Sequence, residues 1–281
     1  MQRGVPVTLR DGTRLFATLV TPNRPAGERL PTILIQSPYD PSWELGGATV
    51  SRLVHAGYAI VVVNARGTQW SEGEYHWMKG AADDGEDSVK WVTSQPWSNG
   101  KVGAYGCSSS GEVQFALAKR NPPGLKAMVA MAAATGIGVI PGFADQGIFY
   151  TGGVPSFDWA AWYRSQGHRY HPKLPAGVSQ REREALIATY SAAANPPEGW
   201  DWAQHLPSRD VLKATGSPES EFDRLITMKP NDPRWRDYDF LNTGTAPACR
   251  CCTSIAGTTR WKATAPPRSS NISRAIHPTN I

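Results

Sequence analysis

The stretch Val102-Gly103-Ala104-Tyr105-Gly106-Cys107-Ser108-Ser109-Ser110-Gly111-Glu112 decides the fold. Its apolar start, Val102–Tyr105, reads as a buried strand. Tiny residues then make a turn, and from Ser109 to Arg120 the pattern is that of a helix. Strand, sharp turn and helix in this order are the setting of a nucleophile elbow, where a serine sits on a strained turn with its hydroxyl above the sheet. The neighbours must be small because the turn brings backbone segments together. On this reading Ser108 is the nucleophile. The backbone N–H of Ser109, at the positive end of the helix, is a donor for an oxyanion. Other readings stay open at this level. A plain tight turn or a phosphate cradle has the same composition, and Cys107 is a rival nucleophile, although its place on the strand side reads as that of a small buried residue. The spacing also departs from G-x-S-x-G, since Ser110 stands at the second glycine and the next glycine is Gly111.

Outward from this turn the chain alternates. Val5–Leu9 and Leu15–Val20 read as strands joined by a hairpin turn at Arg10-Asp11-Gly12. Thr32–Gln36 and Tyr58–Val63 are continuous apolar runs, the pattern of strands buried on both faces of a parallel sheet. Helical segments are expected over Ala48–His55 and Asp83–Thr93, and a further strand over Leu125–Met131. Such a βαβ series predicts a doubly wound α/β sheet with right-handed crossovers. Past about Thr135 the alternation stops. Phe157–Gln166, Gln180–Ala194 and Glu219–Ile226 have helical periods separated by prolines, which predicts a helical cap. The expected organisation is a core over residues 1–134, a cap over 135–240 and an atypical tail over 241–281.

Composition narrows the function. Eleven Trp, nine Tyr and seven Phe in 281 residues supply too much apolar surface for a disordered chain. No apolar run approaches the roughly 18 residues of a membrane span, and no export signal is seen at the start, so a cytoplasmic protein without a membrane partner is expected. A net charge of +5 would ordinarily suggest nucleic acid. However, Asp239 is the last acid, and Arg250, Arg260, Lys262, Arg268 and Arg274 follow it. The 24 remaining cations face 24 acids, so the body is neutral and no nucleic-acid partner is expected. Three of the four cysteines, Cys249, Cys251 and Cys252, also lie in the tail. They lack a fourth ligand at workable spacing, so no metal site is expected there.

A family resemblance rests on motifs in order. Ala65-Arg66-Gly67, Ser71-Glu72-Gly73-Glu74-Tyr75, Asp83-Asp84-Gly85, Gln95-Pro96-Trp97-Ser98-Asn99-Gly100-Lys101-Val102-Gly103 and the serine turn together resemble the X-Pro dipeptidyl-peptidase and cocaine-esterase (CocE/NonD) family of α/β-hydrolases. The family's elbow is G-x-S-x-x-G, which Gly106, Ser108 and Gly111 satisfy. The resemblance implies an α/β-hydrolase sheet with a helical cap and acyl transfer to serine without a cofactor, on a small ester or short peptide. It also implies a second oxyanion donor, a tyrosine hydroxyl in a Pro-Tyr segment. Ser37-Pro38-Tyr39-Asp40 matches that segment and makes Tyr39 the candidate, against the plainer role of closing a turn. Where the family has D-x-R-G this chain has Asn64-Ala65-Arg66-Gly67, read as structural, with Arg66 bracing loops. The cap aromatics Phe149, Tyr150, Phe157, Trp159, Trp162, Tyr163, Trp200 and Trp202 are read mainly as core. A homo-oligomer is compatible with all of this.

The triad should be completed by an acid and then a histidine on later loops. His55 and His76 precede the serine. His168, His171 and His205 fall in the cap, and His277 lies near the chain end with no strand to place it. No histidine earns the role, and the strand and acid turn expected after Asp237-Tyr238-Asp239-Phe240 are missing. In their place stands 246–262, which does not read as a strand, so the sheet is expected to lack its C-terminal strands. Reading the tail's codons from their third base, Cys251-Cys252 forces leucine, Cys252-Thr253 forces histidine or tyrosine, and Trp261-Lys262 forces glutamate. With permitted codons elsewhere, this frame can encode a buried strand followed by Trp-His-Asp, the missing acid turn. We therefore expect a frameshifted tail from about Ala248. The last 42 residues contain no acid, where about 3 or 4 would be expected at the chain's own frequency. On this expectation the chain is a hydrolase body without triad acid and base, at most a ligand- or partner-binding module.

Overall fold

The computed structural model describes residues 1–23, 25, 27–133, 149–151, 154–167, 177, 179–182, 184–185, 199–201, 204–215, 221–229, 232–238, 250–254 and 260–262. The first half alternates as its hydrophobic pattern predicts: β1 (Gln2–Thr8), β2 (Arg14–Val20), β3 (Leu30–Ser37), α1 (Pro41–Leu45), α2 (Ala48–His55), β4 (Ala59–Asn64), α3 (Ala81–Ser94), β5 (Ser98–Cys107), α4 (Ser109–Arg120) and β6 (Leu125–Met131). A small hairpin, β7 (Tyr150–Thr151) and β8 (Val154–Pro155), and helix α5 (Phe157–Gly167) open the cap. The strands β9 (Arg250–Ser254) and β10 (Arg260–Lys262) come last. Among the described residues the main sheet runs β1-β2-β4-β3-β5-β6-β9-β10. The hairpin and β2–β4 pair antiparallel, β4-β3-β5-β6-β9 pair parallel, and β10 returns antiparallel on β9.

Burial explains why the sheet is wound on both faces. All six residues of β4, Ala-Ile-Val-Val-Val-Asn, are buried, and their side chains alternate between the faces. Val61 and Val63 join Leu15, Leu34, Val89, Leu117 and Met128 on the side covered by α3 and α4. Ile60 and Val62 meet Ile35 and Val50 under α2. Each aliphatic side chain removed from water in this way contributes about 1.5–3 kcal/mol. The acidic side of α3 is tied back to the opening hairpin. Arg10 binds Asp87 at 2.8 and 2.9 Å and Asp83 at 3.1 Å.

Two sequence expectations change. Helix α1 was not foreseen: it is five residues long, and its signal is only Asp40-Pro41, where the Asp40 carboxylate accepts the Ser42 N–H at 2.8 Å. The stretch 246–262 was read as holding no strand, yet Arg250–Ser254 pairs parallel with β6, from Ala127↔Arg250 to Met131↔Ser254. The physical reason is the open ladder of β6, which a run free of Pro and Gly fills regardless of its weak pattern. Of the expected cap helix Gln180–Ala194, only a few positions fall within the described residues. No described helix is long and apolar enough to cross a membrane.

Candidate active site

The elbow is visible in the backbone. Ser108 has φ 56° and ψ −127°, a conformation that L residues avoid and that costs about 1–3 kcal/mol. It persists because its own polar groups are held on both sides. The Ser108 N–H donates to Met131 O of β6 at 2.9 Å, and its carbonyl accepts from Gly111 N at 2.8 Å and Glu112 N at 2.9 Å. The spacing of the two glycines follows from contact distances. A Cβ on Gly106 would lie 2.4 Å from Ser110 O, and one on Gly111 would lie 2.8 Å from Ala133 Cβ and 3.2 Å from Gly106 O. Strand end and helix start thus touch through these two residues, and G-x-S-x-x-G is the spacing this contact requires.

Accessibility separates the three serines. Ser108 is exposed, whereas Ser109 is 4% and Ser110 0% exposed. Cys107 is also exposed, which corrects its reading as a buried residue. The alternation of β5 places Gly106 beneath the helix and so turns the next side chain outward. The N–H groups of Ser109 and Ser110 precede the first intrahelical bond, so the helix presents its positive end beside Ser108.

Tyr39, the candidate second donor, has its hydroxyl beside the Ser108 side chain and beside Trp162 of α5, both of which pull its pKa down. Burial raises its pKa above the ordinary phenol value, with Glu112 and Glu44 adding to the effect. The phenol therefore stays protonated and able to donate. Its loop is clamped from β4. Asn64 Nδ2 donates to Tyr39 O at 2.8 Å and to Ser37 O at 3.4 Å, while Ser37 Oγ accepts the Tyr39 N–H at 3.0 Å. Glu44 Oε1 accepts from Ser37 Oγ at 2.6 Å and from Ser110 Oγ at 2.5 Å.

An ionised carboxylate at position 64 would face two carbonyl oxygens without a proton to give. Asn64→Asp is expected to cost about 1–3 kcal/mol near neutral pH and less in acid, where a protonated carboxyl can donate. In linkage terms, the folded state would raise the pKa of the new carboxyl, so stability would fall as pH rises through it. Urea unfolding at pH 5 and pH 8 measures this.

Arg66 braces the neighbouring loops as the sequence suggested. Its guanidinium forks onto Asp84 at 2.6 and 2.8 Å and reaches Asp11 at 3.0 Å. Burial nevertheless raises the Asp84 carboxyl, since desolvation outweighs the ion pair. Gly67, at φ 69°, lets the chain cross against the next loop, where a Cβ would lie 2.2 Å from Tyr75 N. Burial raises the Tyr75 hydroxyl well above the usual phenol range, against a smaller lowering by the neighbouring Ser109.

The cap closes over this side of the elbow. Trp77 donates its indole N–H to Glu112 at 2.9 Å and its backbone N–H to Glu221 at 2.6 Å. Glu221 also receives Tyr238 Oη at 2.9 Å and Arg224 at 2.6 Å. Phe149 and Tyr163 are buried, and Tyr150, Phe157, Trp159, Trp162 and Trp200 pack against the same cluster. These aromatics therefore form the cap's core as read, and Trp162 also reaches the site; Trp202 lies outside the described residues. A small cleft lies beside Ser109, lined by Pro38, Tyr75, Trp77 and Val113.

The described histidines have other neighbours. His55 Nδ1 meets Ser51 O at 2.7 Å, His76 stands 3.5 Å from Glu221, and the His205 ring lies 5.5 Å from that of Trp200. His168, His171 and His277 lie outside the described residues. Among the described residues no group of three His, Cys, Asp or Glu could hold a metal.

Sequence reading missed Asn64, Glu44 and Trp162 as parts of this site. Only the tertiary contacts bring them there.

Comparison with known proteins shows what the whole chain is similar to. The family model for X-Pro dipeptidyl-peptidase (S15 family) matches residues 11–252. Cocaine esterase from Rhodococcus sp. (strain MB1 Bresler) is 35% identical over 128 residues, covering 44% of this chain and 22% of that protein. The chain spans less than a third of the length of the curated relatives it matches. Among solved structures, an aminopeptidase from a marine-sediment Thaumarchaeota archaeon superposes with a TM-score of 0.59 at 19% identity, over 90% of this chain and 42% of that one. An α-amino acid ester hydrolase superposes at 0.55 with 24% identity, over 76% and 35%. At these identities the superpositions speak for the α/β-hydrolase fold. With the family match extending over most of its length, the chain belongs to the X-Pro dipeptidyl-peptidase (S15) family.

Proposed function

We propose that the chain carries the nucleophile half of a serine hydrolase that cleaves ester or amide acyl bonds of small molecules or short peptides. The observation that supports this most directly is the exposed Ser108 on its left-handed turn, with the Tyr39 hydroxyl beside it. In the proposed reaction Ser108 Oγ attacks the carbonyl carbon, its proton passes to a base, and the carbonyl oxygen becomes an oxyanion. That charge develops between the Tyr39 hydroxyl and the Ser109 N–H, the two proposed donors. Loss of the leaving group gives an acyl-enzyme, which water hydrolyses. The test is labelling with a fluorophosphonate followed by mass spectrometry of the digest. Label on Ser108 is expected, and absence of label on folded protein overturns the proposal.

A second reading has its own support: each described histidine has neighbours other than Ser108. A chain without triad acid and base would bind an acyl ligand and turn it over poorly. The proposed cause is the frameshift from about Ala248. Sequencing the coding DNA across codons 240–262 is expected to show the strand and Trp-His-Asp turn in the alternative frame. A continuous match of the present frame to homologous genes would remove this reading.

A further inference from the structure

Glu44 stands outside the reacting groups, yet it joins the two segments that carry the proposed oxyanion donors. We infer that Glu44 is a positioning residue that sets the separation between the Tyr39 hydroxyl and the Ser109 N–H. The inference rests on the roles proposed above for Ser108, Tyr39 and Ser109.

The geometry is specific. A single carboxylate oxygen, Glu44 Oε1, accepts Ser37 Oγ at 2.6 Å and Ser110 Oγ at 2.5 Å. Both lengths are those of hydroxyl-to-carboxylate bonds, which are stronger than neutral ones. Each serine has one hydroxyl proton, so each is committed to Glu44. Ser37 then uses its oxygen to accept the Tyr39 N–H at 3.0 Å. Ser110 follows Ser109 directly and is fully buried, which rules it out as a second nucleophile and leaves it a structural part.

The place in the fold gives the tie its purpose. Ser37 ends β3 and Ser110 begins α4, just after β5. β3 and β5 are neighbouring parallel strands that pair with each other from Leu30↔Ser98 to Leu34↔Ala104. Past these positions each strand stays paired on its other side, β3 with β4 to Ser37↔Asn64 and β5 with β6 to Cys107↔Met131, so among the described residues the ends bearing Tyr39 and Ser108–Ser110 are not joined by their own ladder. Glu44 sits on α1, held by the Asp40 cap and Pro41, and closes that gap. Oxyanion stabilisation depends on donors fixed to within about 0.5 Å, so a tie between the segments bearing both donors acts on the reaction without touching the substrate.

The experiment uses the full chain and four variants: Glu44→Ala, Glu44→Gln, Tyr39→Phe and the double variant E44A/Y39F. The first readout is the second-order rate of fluorophosphonate labelling. Glu44→Ala is expected to slow it about 10–100-fold and Tyr39→Phe about 100-fold or more. In the Tyr39→Phe background, removing Glu44 should then cost only a few-fold, because a residue acting through Tyr39 cannot be lost twice. Glu44→Gln, which keeps an acceptor oxygen, should recover most of the rate. Independent effects in the double variant, or an unchanged rate in Glu44→Ala, overturn the inference.

A second readout does not need reactivity. With 3-fluorotyrosine placed at position 39, Glu44→Ala is expected to shift or broaden the ¹⁹F resonance, while Glu44→Gln leaves it close to the wild type. If Glu44→Ala fails to fold, Ser110→Ala cuts the same tie from the other side and is read in the same two ways. If the wild type takes no label, the hydrolase reading fails, and the fluorine resonance alone decides the role of Glu44: an unmoved resonance refutes it.

Discussion

Ser108→Ala is expected to reduce fluorophosphonate labelling to background and any ester turnover by at least about 10⁴-fold, since the nucleophile of a serine hydrolase carries most of its rate. Stability should hardly change, because alanine suffers the same strain at φ 56°. Ser108→Gly separates the two roles of this residue. Glycine adopts a positive φ freely, so this variant should be about 1–3 kcal/mol more stable than the parent and equally unreactive. Urea unfolding alongside labelling checks both statements. A labelled Ser108→Ala protein would move the nucleophile elsewhere, with the exposed Cys107 as the first candidate. A Ser108→Gly protein no more stable than the parent would mean that the turn stores no strain.

The second large effect is expected at Gly106. Its missing side chain is filled by backbone, Ser110 O at 2.4 Å and Ser110 C at 2.6 Å from the position of a Cβ. Backbone in the first turn of a packed helix cannot retreat as a flexible side chain can. Gly106→Ala is therefore expected to cost at least about 3 kcal/mol, lowering the thermal midpoint by about 6–12 °C. Labelling should also be lost, because Ser108 rides on the segment that must move. Gly47→Ala is the control: a Cβ there meets nothing within 4 Å and φ is an ordinary −75°. A Gly106→Ala protein that unfolds and labels like Gly47→Ala would show that strand and helix do not meet as described.

The sheet and the strained serine turn were legible in the sequence because both are written in local patterns. Tyr58–Val63 is an unbroken apolar run, Leu125–Met131 is apolar apart from Lys126, and the predicted bounds of α2 and α4 agree with those observed. The Gly-Cys-Ser-Ser-Ser-Gly turn has few conformations open to it. Tyr39 came through a family motif, and the structure brings its hydroxyl beside Ser108. What stayed hidden depends on contacts between distant residues. Glu44 reads as an ordinary acid on a short helix, and nothing local links it to Ser110, 66 residues on. Asn64 reads as a lost aspartate until two carbonyls are found facing it. Cys107 was misread because the strand's alternation continues one residue beyond the apolar run. The strand β9 was missed because an open edge, not a hydrophobic pattern, recruits it.

Trp77 has a consequence for anyone hoping to change selectivity by exchanging caps between relatives. Its ring belongs to the cap's apolar cluster, stacked edge-on with Phe149 at 5.5 Å, but its place in the chain precedes the nucleophile. Its indole holds Glu112 in the first turn of α4, and its backbone holds Glu221 of the cap. A graft cut at the obvious boundaries, residues 135–240, would keep the recipient's Trp77 and give it a stranger's pocket to fill. The transferable module is therefore discontinuous in sequence, and residues 75–82 have to travel with the cap they complete.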